Sequence, residues 1–143
     1  MGAPRLTESL STRQIEQLHD LYQAEWWSKG RSLDDVFIAV ENSSLVLGFV
    51  DSASDRLIAF CRVLSDGAFR ATIYDVIVAE DYRGAGLGAR LIDTVLNHPQ
   101  LRKVEGMALA CKPEMVSFYQ RFGFAPTSSE IVWMRKENAR QEV

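Results

Sequence analysis

The 143-residue sequence predicts an α+β fold, arranged as a mixed three-layer structure with helices flanking a sheet. Three observations predict this class. The spacing of apolar residues along the chain predicts helices and strands in the order α-α-β-β-β-α-β-α-β. A content of 47% hydrophobic residues is enough for one substantial core. No repeat or linker interrupts the chain, so we expect a single domain over residues 1–143.

The first half begins with two helices and continues with a hairpin. Ser11 and Gln14 form a capping-box pattern ahead of a helix predicted over residues 12–26. Ser32 and Asp35 repeat the signal before a second helix over 33–41. Strands are predicted over 45–51 and 56–65, because β-rich runs there flank a four-residue polar turn.

The second half alternates strands and helices. A strand over residues 71–79 ends in an apolar run typical of the middle of a sheet. Apolar spacing predicts a helix over 87–96 that stops before Pro99. The remaining pattern predicts a strand over 104–111, a helix over 114–122 and a final strand over 130–135.

Composition argues against several partners. The net charge of −3 lacks the basic surface that nucleic-acid binding requires. No apolar run approaches the roughly 18 residues of a membrane span and the first residues lack a signal-peptide pattern, so we expect a cytoplasmic protein without a membrane partner. Cys61 and Cys111 are too few and too distant for a disulfide framework or a zinc site, and no metal is expected. Cys111 is predicted to be a buried, inert thiol.

The clearest chemical signal is the turn Arg83-Gly84-Ala85-Gly86-Leu87-Gly88, which lies between a predicted strand and a predicted helix. Alternate glycines free the backbone to curl, so that several N–H groups can point into one concavity at a helix N-terminus. Such a concavity binds a diphosphate, and Arg83 can add a charge-assisted hydrogen bond.

Two alternatives compete for this turn. The pattern Gly84-x-Gly86-x-x-Ala89 also satisfies a loose dinucleotide-binding fingerprint. However, four residues separate the strand from the first glycine, Glu105 falls near the start of the next strand rather than at its end, and a hairpin precedes the unit. We therefore reject the dinucleotide interpretation. A glycine-rich connection that binds nothing remains the other alternative.

The turn matches the pyrophosphate motif Arg/Gln-x-x-Gly-x-Gly/Ala, and residues 118–124 read FYQRFGF, similar to the signature FYxxxGF. With these motifs and its element order, the sequence resembles the GNAT superfamily of acetyl-CoA-dependent N-acetyltransferases over residues 11–136. The resemblance is strongest to bacterial, cyanobacterial and plastid members of the serotonin N-acetyltransferase-like type. It implies the GNAT acyl-CoA N-acyltransferase fold, with a mixed, mostly antiparallel sheet flanked by helices.

The resemblance implies acetyl-coenzyme A (acetyl-CoA) as co-substrate. The pantetheine arm would lie where the strand carrying Val76 and Val78 splays from the next strand, and the turn would hold the diphosphate. Lys112 stands where many members carry an Asn that bonds the pantetheine. The implied cofactor-binding residues are Val76, Ile77, Val78, Arg83, Gly84, Ala85, Gly86, Leu87, Gly88, Ala89, Lys112 and Tyr119.

For catalysis, Tyr119 matches the family tyrosine that protonates the leaving thiolate; by its apolar helix face alone, it could equally be a core aromatic. The family's Glu or His base positions correspond to Thr72 and Tyr74, and neither is a good base. Our hypothesis is a water chain that ends at Tyr74, Asp75 or backbone carbonyls. Alternation places Asp75 opposite Tyr74 unless a bulge intervenes, and Asp75 could instead be a structural hydrogen-bond acceptor.

The acceptor side is implied by aromatic residues near the family's acceptor pocket. These could stack on an arylalkylamine or hold an ammonium, although core packing is the alternative for Trp133. Of two adjacent tryptophans, one should line a pocket or an interface. The candidate substrate-binding residues are Tyr22, Trp26, Trp27, Thr72 and Trp133.

The predicted function is acetyl transfer to a primary amine, whether an arylalkylamine, another small amine or a protein lysine. The alternative is a non-catalytic acyl-CoA-binding module. The apolar strand over 130–135 could pair with a second copy to give a homodimer.

Overall fold

A computed structural model describes residues 2–128 and 130–139 of the chain. Residues 1–110 and 111–143 form two compact units. The prediction of one domain over the whole chain stays a prediction.

The first unit is built on a sheet whose five strands pair in chain order. All neighbours are antiparallel except the last two, which are parallel. This confirms the predicted α+β class and the mixed, mostly antiparallel sheet. Its elements are β1 (Pro4–Thr7), α1 (Thr12–Gln23), α2 (Leu33–Asn42), β2 (Leu45–Asp51), β3 (Leu57–Ser65), β4 (Arg70–Val78), α3 (Leu87–Leu96) and β5 (Gly106–Ala108).

The capping box at the start of α1 forms as predicted. The Gln14 backbone N–H donates to Ser11 Oγ at 3.1 Å, and the Ser11 backbone N–H donates to Gln14 Oε1 at 3.0 Å. The helix ends at Gln23 and not at residue 26, so the two tryptophans lie in the turns that follow it. The 12–26 boundary was therefore wrong at its C-terminal end.

Helices cover both faces of the sheet. Two adjacent residues of β2, whose side chains point to opposite faces, show this. Val50 belongs to a buried cluster with α1 and α2, whereas the ring of Phe49 lies 4.5 Å below the guanidinium of Arg90 on α3. The cluster that joins the sheet to α1 and α2 comprises Ile15, Leu18, Tyr22, Val36, Val50, Leu57, Phe60 and Ile77.

The two ends of the chain differ from the prediction. β1 was not foreseen; four residues are too few to show a period, and its partner strand β2 defines it through backbone hydrogen bonds. At the other end, residues 130–135 form no strand among the described residues, and 131–134 are each at least 72% exposed. A β-rich composition does not produce a strand without a neighbour to pair with.

The predicted strand over 104–111 shortens to the three residues of β5. In the second unit, the predicted helix over 114–122 becomes a 3-10 turn at Pro113–Met115 followed by α4 (Val116–Gln120). Within the described residues, no helix is long and apolar enough to cross a membrane.

Candidate active site

A β-bulge interrupts the pairing of β3 with β4. Phe60 pairs with Ile77 and Arg62 pairs with Tyr74, so Cys61 faces two residues of β4. At this point Asp75 has a φ of 58°, in the left-handed region. The bulge brings Asp75 and Tyr74 to the same arginine: Arg62 Nε donates to Asp75 Oδ2 at 2.8 Å, and its guanidinium lies 5.1 Å from the Tyr74 ring centroid. Simple alternation would have separated them.

The carboxylate of Asp75 is held by three donors. Its Oδ2 accepts hydrogen bonds from the Tyr22 hydroxyl at 2.8 Å, Arg31 Nη1 at 2.9 Å and Arg62 Nε at 2.8 Å. Burial favours the neutral acid and is the largest influence on the Asp75 pKa, but the hydrogen bonds and charges of the two arginines outweigh it and lower that pKa. An ionised, firmly bound carboxylate supports the structural alternative for Asp75.

The same cluster raises the pKa of Tyr22. Burial of the phenol is the main cause, and the adjacent Asp75 carboxylate adds to it. Burial likewise raises the pKa of the Cys61 thiol to about 12, which leaves it unreactive at neutral pH.

In the part of the chain that the structure describes, β4 has no strand partner along part of its outer edge. β5 pairs with β4 only at Arg70, Ala71 and Thr72. Among the described residues, 73–78 are paired on the β3 side alone. Val76, Ile77 and Val78 lie in this stretch, and the two valines are half-buried. The backbone there has the geometry to accept an extended ligand as an additional strand.

The glycine turn at residues 83–88 follows β4 after a 3-10 turn at Glu80–Tyr82. Tyr82 anchors its start, because the buried phenol donates to Asp51. Gly84 and Gly86 have φ values of 83° and 80°, which favour glycine. A Cβ built on either would meet nothing within 4 Å, so the space beside them is open.

Gly86 is the N-cap of α3, and no side chain accepts a hydrogen bond there. The first N–H groups of the helix, at Leu87, Gly88 and Ala89, therefore have no side-chain cap in the part of the chain described. An open concavity at an uncapped helix N-terminus favours an anion.

Arg83 turns back from the glycine turn towards the sheet. Its Nε donates to the Val78 carbonyl at 3.1 Å, and its Nη2 donates to Glu25 Oε1 at 2.9 Å. The side chain thus links the end of β4 to the connection between α1 and α2.

Three of the candidate acceptor residues lie in the first unit near α1. Tyr22 is buried and makes a T-shaped contact with Trp27 at 6.1 Å between ring centroids. The Arg31 guanidinium covers both rings, at 4.7 Å from Tyr22 and 5.6 Å from Trp27. Trp26 is 71% exposed. Thus Trp27, which is 36% exposed, contacts the cluster at its surface, and Trp26 faces outward.

The other two candidates are Thr72 in the first unit and Trp133 in the second. Thr72 pairs with Leu64 of β3 and Ala108 of β5. In the second unit, Trp133 is 72% exposed, which argues against core packing there. Cys111 is also exposed, so its expected burial was wrong.

Tyr119 is buried on α4 within the second unit. Its ring lies 5.0 Å from that of Phe118 and 6.2 Å from that of Phe124, in T-shaped contacts. Lys112 is the N-cap of the 3-10 turn that precedes α4.

Sequence reasoning missed the two arginines of the Asp75 cluster. Arg62 carried a signal, since a lone charge inside an apolar strand must find a partner. Arg31 carried none, because its contacts depend on the turn geometry after α1.

Comparisons with known proteins agree on one family. The model of the acetyltransferase (GNAT) family matches residues 12–124. The uncharacterized N-acetyltransferase ycf52 of Pyropia yezoensis is 34% identical over 119 residues, which cover 82% of this chain and 66% of that protein. Serotonin N-acetyltransferase 2, chloroplastic, of Oryza sativa subsp. japonica is 34% identical and covers 73% of this chain and 54% of its own length. The chain thus spans about two thirds or less of these curated relatives.

Solved structures agree as well. A Xanthomonas campestris protein described as belonging to the GNAT family is 30% identical with a TM-score of 0.81, covering 96% of this chain and 95% of its own. Glucosamine-6-phosphate N-acetyltransferase from Arabidopsis thaliana, at 17% identity, covers 94% of this chain and 98% of its own with a TM-score of 0.75, and so shares the fold. On the family match over residues 12–124 and these relatives, the chain belongs to the acetyltransferase (GNAT) family.

Proposed function

We propose that this protein transfers an acetyl group from acetyl-CoA to a primary amine by direct attack. One observation carries the proposal: residues 73–78 of β4 have an outer edge without a strand partner in the described part of the chain, and soon after them comes the open glycine turn, where no described side chain caps α3. An extended thioester with a diphosphate at its far end has the two features that this surface complements. Family membership independently supports acyl transfer.

Different residues of the first unit bind different parts of acetyl-CoA. Backbone groups of residues 76–78 pair with the pantetheine arm, and N–H groups of 84–89 bind the diphosphate. Exposed N–H groups along β4 can also polarise the thioester carbonyl as charge develops on its oxygen. Arg83 leaves Glu25 to reach a phosphate oxygen.

The acceptor must lose a proton before it attacks. For an alkylamine with a pKa near 10.4, reaching the neutral form at pH 7 costs about 4.6 kcal/mol. The Asp75 carboxylate pairs with two arginines and is therefore not the base. We assign removal of the amine proton to a water chain that begins at the exposed Tyr74 or at backbone carbonyls of β4. Tyr119 occupies the motif position of the family's proton donor, and on that resemblance alone we assign it to protonate the departing thiolate.

Thiol release across a panel of amines tests the proposal. We expect release with acetyl-CoA and at least one of a tryptamine, a polyamine, an amino sugar or a lysine peptide. A thermal shift with acetyl-CoA but no release with any amine would favour the acyl-CoA-binding module. The Asp75 carboxylate, which pairs with two arginines and is not free to act as a base, favours that alternative. Stabilisation by NADH alone would restore the dinucleotide interpretation. Ligand at about 100 times its Kd adds about 2.7 kcal/mol, enough to detect.

Tyr119→Phe tests the proton donor separately. The variant keeps the ring that packs against Phe118 and Phe124, so we expect these contacts within the second unit to be retained. We expect kcat to fall about 100-fold, since a positioned acid contributes about that much. An unchanged kcat would return Tyr119 to the role of a packing aromatic.

The oligomeric state and the location of the protein are also proposals. Homodimer formation through residues 130–135 remains a proposal, in which a second copy would supply the strand partner that this segment lacks among the described residues. A cytoplasmic location is also proposed, although two relatives are named chloroplastic.

A further inference from the structure

We propose that the acceptor amine carries a carboxylate, and that Arg31 recognises it. This inference rests on the proposed acetyl transfer and specifies the substrate class. It begins with the charges around Asp75, which two arginines share through a single oxygen atom.

The cluster has one positive charge in excess. Arg62, whose side chain is 15% exposed, is sufficient to neutralise Asp75, whose side chain is 6% exposed. Arg31 adds a second cation that is 32% exposed. Of its five N–H donors, the described residues engage only the one on Nη1. The remaining fork is available to a planar anion.

Arg31 is held rigidly in this position. Its backbone carbonyl accepts hydrogen bonds from His19 Nε2 at 3.0 Å and Gln23 Nε2 at 2.9 Å, both from α1. The Gln23 side chain also accepts from the Gly30 N–H at 3.0 Å. Backbone and guanidinium are therefore both fixed before a ligand arrives, which lowers the entropic cost of binding.

The Arg31 guanidinium, and not the aromatic rings beneath it, makes this position unfavourable for a cation. Tyr22 and Trp27 have the arrangement that could hold an ammonium, but the Arg31 guanidinium already lies over both rings. A second cation there would be repelled. The amine of the acceptor must consequently lie elsewhere, with its anionic group at Arg31.

The location agrees with the donor site. Asp75, which Arg31 and Arg62 contact, lies within the stretch 73–78 of β4 that has no β5 partner in the described chain. The proposed donor arm follows this same stretch. A short acceptor can thus place its carboxylate at Arg31 and its amine near the thioester.

Matched pairs of an amino acid and its decarboxylated amine test the inference. The pairs are tryptophan with tryptamine, lysine with cadaverine and phenylalanine with phenethylamine. We expect the parent protein to prefer at least one acid over its amine by about tenfold or more in kcat/KM. Arg31→Gln should raise KM for that acid by about 10–100-fold and leave KM for the amine nearly unchanged, since one charge-assisted contact is lost.

Two further variants complete the design. Arg31→Lys keeps the charge without the fork and should recover part of the preference; should the Gln variant fail to fold, it carries the comparison alone. Arg5→Gln is the control, because Arg5 is also a partly exposed arginine paired with a carboxylate, at Asp55, and should change neither KM.

The outcomes separate this inference from the proposed function. A parent that prefers the decarboxylated amines, or a phosphorylated amine over every carboxylate, overturns the carboxylate assignment and leaves acetyl transfer standing. Equal loss on both members of a pair in Arg31→Gln does the same. Absence of thiol release with every amine overturns acetyl transfer, and this inference with it.

Discussion

Replacing Gly86 by Ala should separate donor binding from stability. The residue has a φ of 80° and caps α3, and its Cβ would meet nothing within 4 Å. No clash therefore opposes the methyl group in the free protein. What remains is the cost of a left-handed alanine, about 1–2 kcal/mol, which corresponds to roughly 3–7 °C in Tm for a chain of this size.

The effect on acetyl-CoA should be larger. The methyl group would occupy the space that a diphosphate must enter, and would separate it from the first N–H groups of α3. Each hydrogen bond to a charged group contributes about 1.5–3 kcal/mol. Loss of one such bond should weaken acetyl-CoA binding by about 10–100-fold.

Gly67→Ala supplies the matched control. Gly67 lies between β3 and β4, has a φ of 75° and also has nothing within 4 Å of its Cβ position. It should lose the same stability without losing donor affinity. Calorimetric titration with acetyl-CoA and thermal melting of both variants make the comparison. If Gly86→Ala and Gly67→Ala bind acetyl-CoA equally well, the glycine turn is a connection and not a binding site.

Three more results are expected. Glu25→Gln should tighten acetyl-CoA binding by up to about fivefold in titration, because it releases Arg83 from a surface ion pair of at most about 1 kcal/mol; weaker binding would assign Glu25 to the donor site. Asp75→Asn should lower the free energy of unfolding in urea by about 3 kcal/mol, because two arginines lose a buried partner, whereas the exposed Asp55→Asn should lower it by less than about 1 kcal/mol. The pKa of Asp51 is lowered to about 2, first by the hydrogen bond from Tyr82 and then by backbone N–H groups. The contribution of ionised Asp51 to the free energy of unfolding is complete above its unfolded pKa near 3.9 and is lost as the pH falls towards 2. Tm should therefore fall across that pH window, and it should fall less in Asp51→Asn.

The parts of the fold that the sequence predicted correctly are those with a local signal. The capping box at Ser11, the apolar spacing of α3 and the glycines before it depend on neighbours within a few residues, and each formed where expected. The hairpin of β2 and β3 also depends on a short turn.

The missed features depend on residues far apart in the chain. β1 is a strand because β2 pairs with it, some 40 residues later. Residues 130–135 have the composition of a strand, but pairing decides the outcome and the described residues provide none. The Asp75 cluster joins α1, the following turn, β3 and β4, and no single stretch of sequence contains that arrangement.

The bulge at Asp75 connects the two halves of the proposed site. A regular β4 would turn Asp75 to the face opposite Tyr74, and Arg62 could not contact both. The extra residue instead brings the carboxylate to Tyr22, Arg31 and Arg62 on the face covered by α1. The same irregularity occurs in the stretch of β4 that lacks a β5 partner, where the proposed donor arm lies. One inserted residue thus places the arginines that would select the acceptor beside the backbone that would hold the donor, which is why we expect changes at Asp75 to alter both stability and acceptor choice.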